Sequence, residues 1–158
     1  MNIAHSGSII AIYIAPEEGA PTVERSQVRA VPGLGLEGDR NFIKQKQHPP
    51  EKRKPAKELT LIEIENIERL QNEFGFPEVK PGELRRNIIT RDVPLNDLVG
   101  KRFEIGEVEV EGLELCEPCR YLEKLTGKKV MKPLIHRGGL RCRILTEGII
   151  RKEDRISV

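Results

Sequence analysis

Apolar and polar residues alternate along much of this chain, with a period nearer two than 3.6. From Gly7 to Ala15, Ile10, Ile12 and Ile14 share one face while Ile9, Ala11 and Tyr13 share the other. That pattern predicts a strand covered on both sides. A second β-rich stretch follows over Val23–Val31, after a turn rich in proline and glycine at Pro16–Pro21. Val31–Arg40 reads as a glycine-punctuated loop with no helix after it, so its glycines are not a phosphate-binding fingerprint. Pro81–Thr90 predicts a turn running into a short strand, and Val93–Gly100 a turn or a single helical turn. Phe103–Gly106, Val108–Leu115 and the segment opened by Gly138–Gly139–Leu140 alternate as strands, and Ile149–Val158 predicts a closing strand pair.

A helical period occurs in two places. Leu61, Ile64, Ile67, Leu70 and Phe74 form one apolar stripe. Thr60 and Glu63 read as its capping box and Gly75 as its stop. Arg120–Gly127 predicts a short second helix with Tyr121, Leu122 and Leu125 inward. Pro118 suits its first position, which would put Cys119 in the first turn. Many short strands between glycine turns, with one long helix, predict a mainly β fold with helices (α+β), built as a closed or partly closed β-barrel.

Composition narrows the function. The 158 residues predict one domain over 1–158, with 27 basic against 25 acidic residues. This balance is unlike that of a dedicated nucleic-acid binder. The start lacks the pattern of a signal peptide, and the apolar run Ile9–Ala15 is far too short to span a membrane. Three cysteines without an export signal point to a reducing cytoplasm. Lys44–Lys57 carries five lysines, one arginine and three prolines, and is expected to be a flexible basic loop. Such a loop is chiefly a solvated surface, and its charge would also attract an anionic partner.

The candidate chemistry centres on Leu115–Cys116–Glu117–Pro118–Cys119–Arg120. A thiol near a helix start and beside Arg120 is favoured as a thiolate. Three readings compete. Cys116 or Cys119 is a nucleophile, a sulfur carrier or a soft metal ligand. Alternatively Cys116, Cys119, His136 and Cys142 form a structural zinc site, in a non-catalytic anion- or ligand-binding module. The third reading is small buried cysteines without a role, which fits Cys142 within its alternating strand. A second constellation, His136–Arg137–Gly138–Gly139–Leu140–Arg141, offers backbone donors and guanidinium forks that suit an oxyanion. Arg86, Asn87 and Arg40 are candidates to join it.

In order, Gly35–Leu36–x–Gly38–Asp39–Arg40, Leu59–Thr60–Leu61–Ile62, Gly82–Glu83–x–x–Arg86–Asn87–Ile88, Leu115–Cys116–Glu117–Pro118–Cys119 and Arg137–Gly138–Gly139–Leu140 resemble the MOSC domain. So does the closing Gly148–x–Ile150–x–x–x–Asp154. This is the C-terminal domain of molybdenum cofactor sulfurases, also found as small stand-alone proteins. The resemblance implies a β-barrel of the type seen in the barrel domain of pyruvate kinase. It implies a role in handling sulfur for the molybdenum cofactor (molybdopterin), or in binding it.

The family's functional cysteine lies in a Pro–Cys pair, which maps to Cys119. That assigns Cys119 persulfide formation, as in a sulfurtransferase, or molybdenum ligation. Asp39, Arg40, Arg86, Asn87, Arg137, Gly138 and Gly139 map to the surrounding cofactor site. The implied partners are a sulfur donor of the cysteine desulfurase type and a metal–sulfur enzyme as acceptor. Some stand-alone relatives are thought to detoxify modified purines, which also requires the cofactor. Asn41 stands where many larger members have histidine or tyrosine. The pyridoxal-phosphate domain of the larger sulfurases has no counterpart here, so these residues give pyridoxal phosphate no support.

Overall fold

The computed structural model describes residues 6–158. Its strands are β1 (Ser6–Ile14), β2 (Val23–Arg25), β3 (Gln27–Val31), β4 (Gly35–Leu36), β5 (Leu59–Glu63) and β6 (Ile88–Arg91). They continue with β7 (Arg102–Ile105), β8 (Val108–Leu115), β9 (Leu140–Ile144), β10 (Gly148–Arg151) and β11 (Arg155–Ser157). The helices are α1 (Arg40–Lys46), α2 (Ile64–Asn72) and α3 (Arg120–Thr126).

Seven strands run in the order β11–β7–β8–β9–β5–β6–β1, and β1 pairs back onto β11, closing a barrel. All neighbours are antiparallel except β5 and β6. β2 extends from the far end of β1, and β10–β3–β4 form a small separate sheet. Alternation assigns the two faces. Leu61 and Ile88 join Ile12, Val110, Leu140 and Ile156 in one core cluster, to which every barrel strand contributes. Their chain neighbours Ile62 and Ile89 face outward, packing with Ile67 and Leu70 of α2 and Leu122 of α3. The barrel is therefore filled by aliphatic side chains, and the helices cover an apolar part of its outer face.

Several sequence expectations are corrected. Leu59–Glu63 is strand rather than a helix start, because it is sandwiched between β6 and β9. The Thr60–Glu63 capping box does not form: the Thr60 hydroxyl donates instead to Asn87 Oδ1 at 3.1 Å, and α2 begins at Ile64 with no side-chain cap. Phe74 is exposed, beneath the Arg69 guanidinium at 5.7 Å. A helix does follow the glycine loop, capped by Asp39, whose Oδ2 accepts from Asn41 N at 3.2 Å.

The stretch read as a loop at 44–57 contains the end of α1 and two 3-10 turns, Pro50–Lys52 and Pro55–Lys57. Gln45 is buried and ties the two together, donating to Lys54 O at 2.7 Å and accepting from Lys54 N at 3.0 Å. At the end of the chain β10 and β11 do not pair with each other. β10 joins β3, while β11 joins β1 and β7.

Candidate functional site

The site is built where β8 ends and β9 begins. Cys116 N donates to Gly139 O at 2.7 Å, extending the β8–β9 ladder one step into the loop. Gly138 and Gly139 make that approach possible. A Cβ on Gly138 would strike Cys116 O, and one on Gly139, which has φ +113°, would strike Leu61 O. Arg86 braces the same junction from beneath. Its Nε donates to Gly138 O at 2.7 Å, Nη1 to Leu84 O at 3.1 Å and Nη2 to Cys116 O at 3.0 Å. Burial lowers its pKa, and the negative charge of a Cys116 or Cys119 thiolate would act the other way.

Beyond Cys116 the chain passes through Glu117, whose carboxylate accepts from His136 N at 2.7 Å and contacts His136 Nδ1 at 2.7 Å. Pro118 lies outside α3. Cys119 is its N-cap, with extended backbone (φ −139°, ψ 169°) and no side-chain cap bond. Its side chain is exposed, whereas Cys116 is buried. Within α3 only Leu122 is fully inward, and Tyr121 and Leu125 are exposed, contrary to the inward stripe expected from the sequence.

Cys116 and Cys119 both line a cleft of about 630 Å³. The cleft gathers eight lysine or arginine side chains against two glutamates. Arg40 comes from α1, Arg85 and Arg86 precede β6, Arg141 lies on β9, and Lys52, Lys54 and Lys57 come from the basic segment. Lys57 faces Arg141, Lys54 and Arg40. Desolvation first, and then those like charges, push its pKa down.

Of the residues the family pattern placed in the site, the cleft unites Cys119, Arg40 and Arg86. Asp39 and Asn87 lie in its supporting layer. Asp39 Oδ1 accepts from Ala15 N at 2.9 Å and from Arg40 Nη1 at 3.1 Å. Asn87 accepts from Thr60 N and donates to Tyr13 O, both at 3.1 Å. Arg137 is exposed and does not line the cleft.

Sequence reasoning missed Lys57, His48 and Tyr121 as lining residues. The density of lysines in 44–57 was the available signal. The zinc arrangement is also corrected. Cys142 is fully buried in the barrel core while Cys119 is exposed in the cleft, so the four proposed ligands cannot meet. Among the described residues no three His, Cys, Asp or Glu side chains converge to hold a metal ion. Burial, and then the charge of Cys116, push the Cys142 thiol pKa up.

A closed seven-stranded barrel with helices on its outer face and a thiol-bearing cationic cleft defines the class structurally. The MOSC domain family model matches residues 49–157, and the chain belongs to that family, which is linked to the molybdenum cofactor. Comparison with curated protein sequences gave no match. Solved structures share the fold at low identity. The YuaD protein from Bacillus subtilis aligns with TM-score 0.80 and 16% identity over 99% of this chain and 97% of that one. YiiM from Geobacillus stearothermophilus aligns with TM-score 0.70 and 15% identity, covering 96% and 75% of the two chains. YiiM from Escherichia coli aligns with TM-score 0.62 and 15% identity, covering 95% and 68%. No helix among the described residues is long and apolar enough to cross a membrane.

Proposed function

We propose that the cleft holds the molybdenum cofactor, with the Cys119 sulfur as a ligand to its metal and the cleft cations on its pterin phosphate. The observation that carries this reading is an exposed thiol and eight cationic side chains in one cavity. The residues fit the group. A thiolate is a soft metal donor, and guanidinium forks and ammonium groups suit phosphate. A cavity of this size takes an organic cofactor-sized molecule. When bound, the cofactor would supply a redox-active metal centre able to exchange oxygen or sulfur.

The chain itself supplies position and charge. Arg86 fixes the Cys116 carbonyl, and so the start of the loop that presents Cys119. Lys54, Lys57 and Arg141 would neutralise the phosphate, with Arg40 beside them. Tyr121 and Leu122 add apolar wall for a planar ring.

The exposure of Cys119 favours a second, sulfur-carrying reading of the same residue. Its thiolate would attack the outer sulfur of a persulfide on a desulfurase-type donor. The donor's S–S bond breaks, its thiolate leaves, and a persulfide forms on Cys119 for transfer to a metal–sulfur enzyme. Metal and pterin analysis of protein purified from a cofactor-making host tests the first reading. Mass spectrometry after incubation with a cysteine desulfurase and cysteine tests the second, by a gain of one sulfur atom on Cys119. Failure of both would remove this assignment.

A further inference from the structure

Two glutamates stand on either side of Cys119 in the chain, and both reach the same neighbouring segment. Glu123 of α3 accepts from Met131 N through Oε2 at 3.1 Å. Glu117, two residues before Cys119, is engaged twice by His136. Its Oε1 accepts from His136 N at 2.7 Å and its Oε2 meets His136 Nδ1 at 2.7 Å. Cys119 is thus bracketed by two carboxylates bound to opposite ends of 131–136. That segment is itself well held. Val130 and Leu134 are buried with Leu122 of α3 against the outer face of the barrel. The His136 carbonyl accepts from Asn96 Nδ2 at 2.8 Å, and Asn96 sits in the 3-10 turn whose Leu95 and Leu98 enter the barrel core.

The loop that carries Cys119 has few other restraints. Its backbone is anchored where it begins, by Cys116 N on Gly139 O at 2.7 Å. It is anchored again where it ends, by Cys119 O accepting from Leu122 N at 3.1 Å and Glu123 N at 3.3 Å. Between those points, Glu117 and Pro118 make no backbone–backbone hydrogen bond among the described residues. Pro118 has a fixed φ and lies over Gly138, where an added Cβ would come within 3.2 Å of its Cδ. The Glu117 side chain is then the polar tether across the gap. His136 is left-handed (φ 62°) without being glycine, a costly conformation for a side chain that is exposed. In that conformation its main-chain N–H and its ring Nδ1 reach one carboxylate. With its hydrogen on Nδ1 the ring donates to Glu117 without needing a charge. Neither Glu117 nor His136 lines the cleft, so the pair holds the loop from outside and does not touch a ligand.

We propose that Glu117 is a positioning residue for Cys119: clamped to His136, it fixes the loop so that the thiol is held at the cleft wall. The proposal rests on Cys119 being the working sulfur, as argued above. It adds that the place of that sulfur is set by the hydrogen-bonded geometry of Glu117 and not by its charge. A carboxylate two residues from a thiol disfavours ionisation of the thiol, so charge alone gives no reason for a glutamate here. Exposed contacts of this kind contribute little to global stability, so the effect is local to the loop. A side chain serving only the fold would show the opposite balance.

The test is the rate at which iodoacetamide, a small neutral probe, alkylates Cys119 in protein made in a host lacking the cofactor, with the adduct located by peptide mass spectrometry. The rate is read on the plateau of its pH profile, where the thiol is fully ionised and the rate reports access instead of charge. Glu117→Ala and Glu117→Asp cannot span to His136. Each should raise the plateau about threefold or more, the shift that losing a hydrogen bond of ordinary net strength permits. Glu117→Gln should stay within about 1.5-fold of wild type, its amide oxygen accepting from His136 N and its amide nitrogen donating to Nδ1 of the other ring tautomer. His136→Gly allows the left-handed turn and keeps the main-chain donor, so it should fall between wild type and Glu117→Ala. Adding it to Glu117→Ala should change nothing further. The Glu117 variants should unfold thermally within about 4 °C of wild type. A glutamine variant that behaves as the alanine variant would overturn the proposal, because charge and not tethering would then be at work. So would wild-type plateau rates in Glu117→Ala and Glu117→Asp, additive effects of the Glu117 and His136 changes, or thermal midpoints lowered by more than that. Alkylation needs neither cofactor nor persulfide. The positioning role can therefore fail while Cys119 binds molybdenum, and can hold where it does not.

Discussion

The carbonyls of Leu84, Cys116 and Gly138 belong to three stretches of chain, and the single guanidinium of Arg86 joins them. Replacing it by methionine keeps much of the side-chain volume and removes every donor. Arg86→Met should therefore cost about 3 kcal/mol or more in urea unfolding, because several buried acceptors lose charge-assisted bonds together. Gly139→Ala should be comparably damaging, because its φ of +113° is strained for alanine and its Cβ would enter the Leu61 carbonyl. A loss below about 0.5 kcal/mol in either variant would contradict these roles. Residue identity was legible in the sequence to the extent that arginines and glycines were recognised as a constellation. Their division of labour was not. An arginine that braces three carbonyls and one that reaches a single carbonyl are the same letter, and only the folded positions of Ala20, Leu84, Cys116 and Gly138 separate Arg86 from Arg85.

At the scale of elements, β5 was read as helix because Leu61, Ile64, Ile67 and Leu70 continue one helical stripe across a strand–helix boundary. Pairing on both edges, to β6 and β9, decides the matter, and neither partner is near in sequence. The start of β5 is held by Glu58, whose Oε1 accepts from Gly33 N at 3.2 Å and Ile144 N at 3.0 Å. Burial raises the Glu58 pKa despite those two bonds. A carboxyl raised on folding contributes stability that is present below its unfolded value and lost as pH rises through its folded value. Glu58→Gln can keep both bonds on its remaining oxygen and does not titrate. Wild type should therefore lose stability relative to Glu58→Gln across the window just above the ordinary carboxylate range. Chemical unfolding at a series of pH values checks this, and a constant difference between the two proteins would contradict it.

At the scale of the whole molecule, the short alternating strands made a closed or partly closed β-barrel legible, but not which strands close it, nor that the basic segment lines its cleft. Closure depends on β1 meeting β11 from the opposite end of the chain. The cleft depends on a basic segment whose lack of apolar residues reads as a solvated loop, yet which Gln45 and Arg53 pin by backbone bonds. Folding thus brings Lys57 against Arg141 and Arg40, where its pKa falls. An anion favours the protonated lysine, so oxyanion affinity should weaken as pH rises through a range below that of an ordinary lysine. Lys57→Arg should remove that pH dependence while keeping the affinity, whereas identical profiles for the two proteins would contradict the role of Lys57. The central claim is that Cys119 and the cationic cleft together hold the molybdenum cofactor. Its most direct measurement is the molybdenum-to-protein and pterin-to-protein ratio of wild type and Cys119→Ser, both purified from the same cofactor-making host. Near-stoichiometric molybdenum and pterin in wild type, with molybdenum lost from Cys119→Ser, is the expected result. Wild-type protein free of both, or a serine variant that retains molybdenum as wild type does, would contradict it.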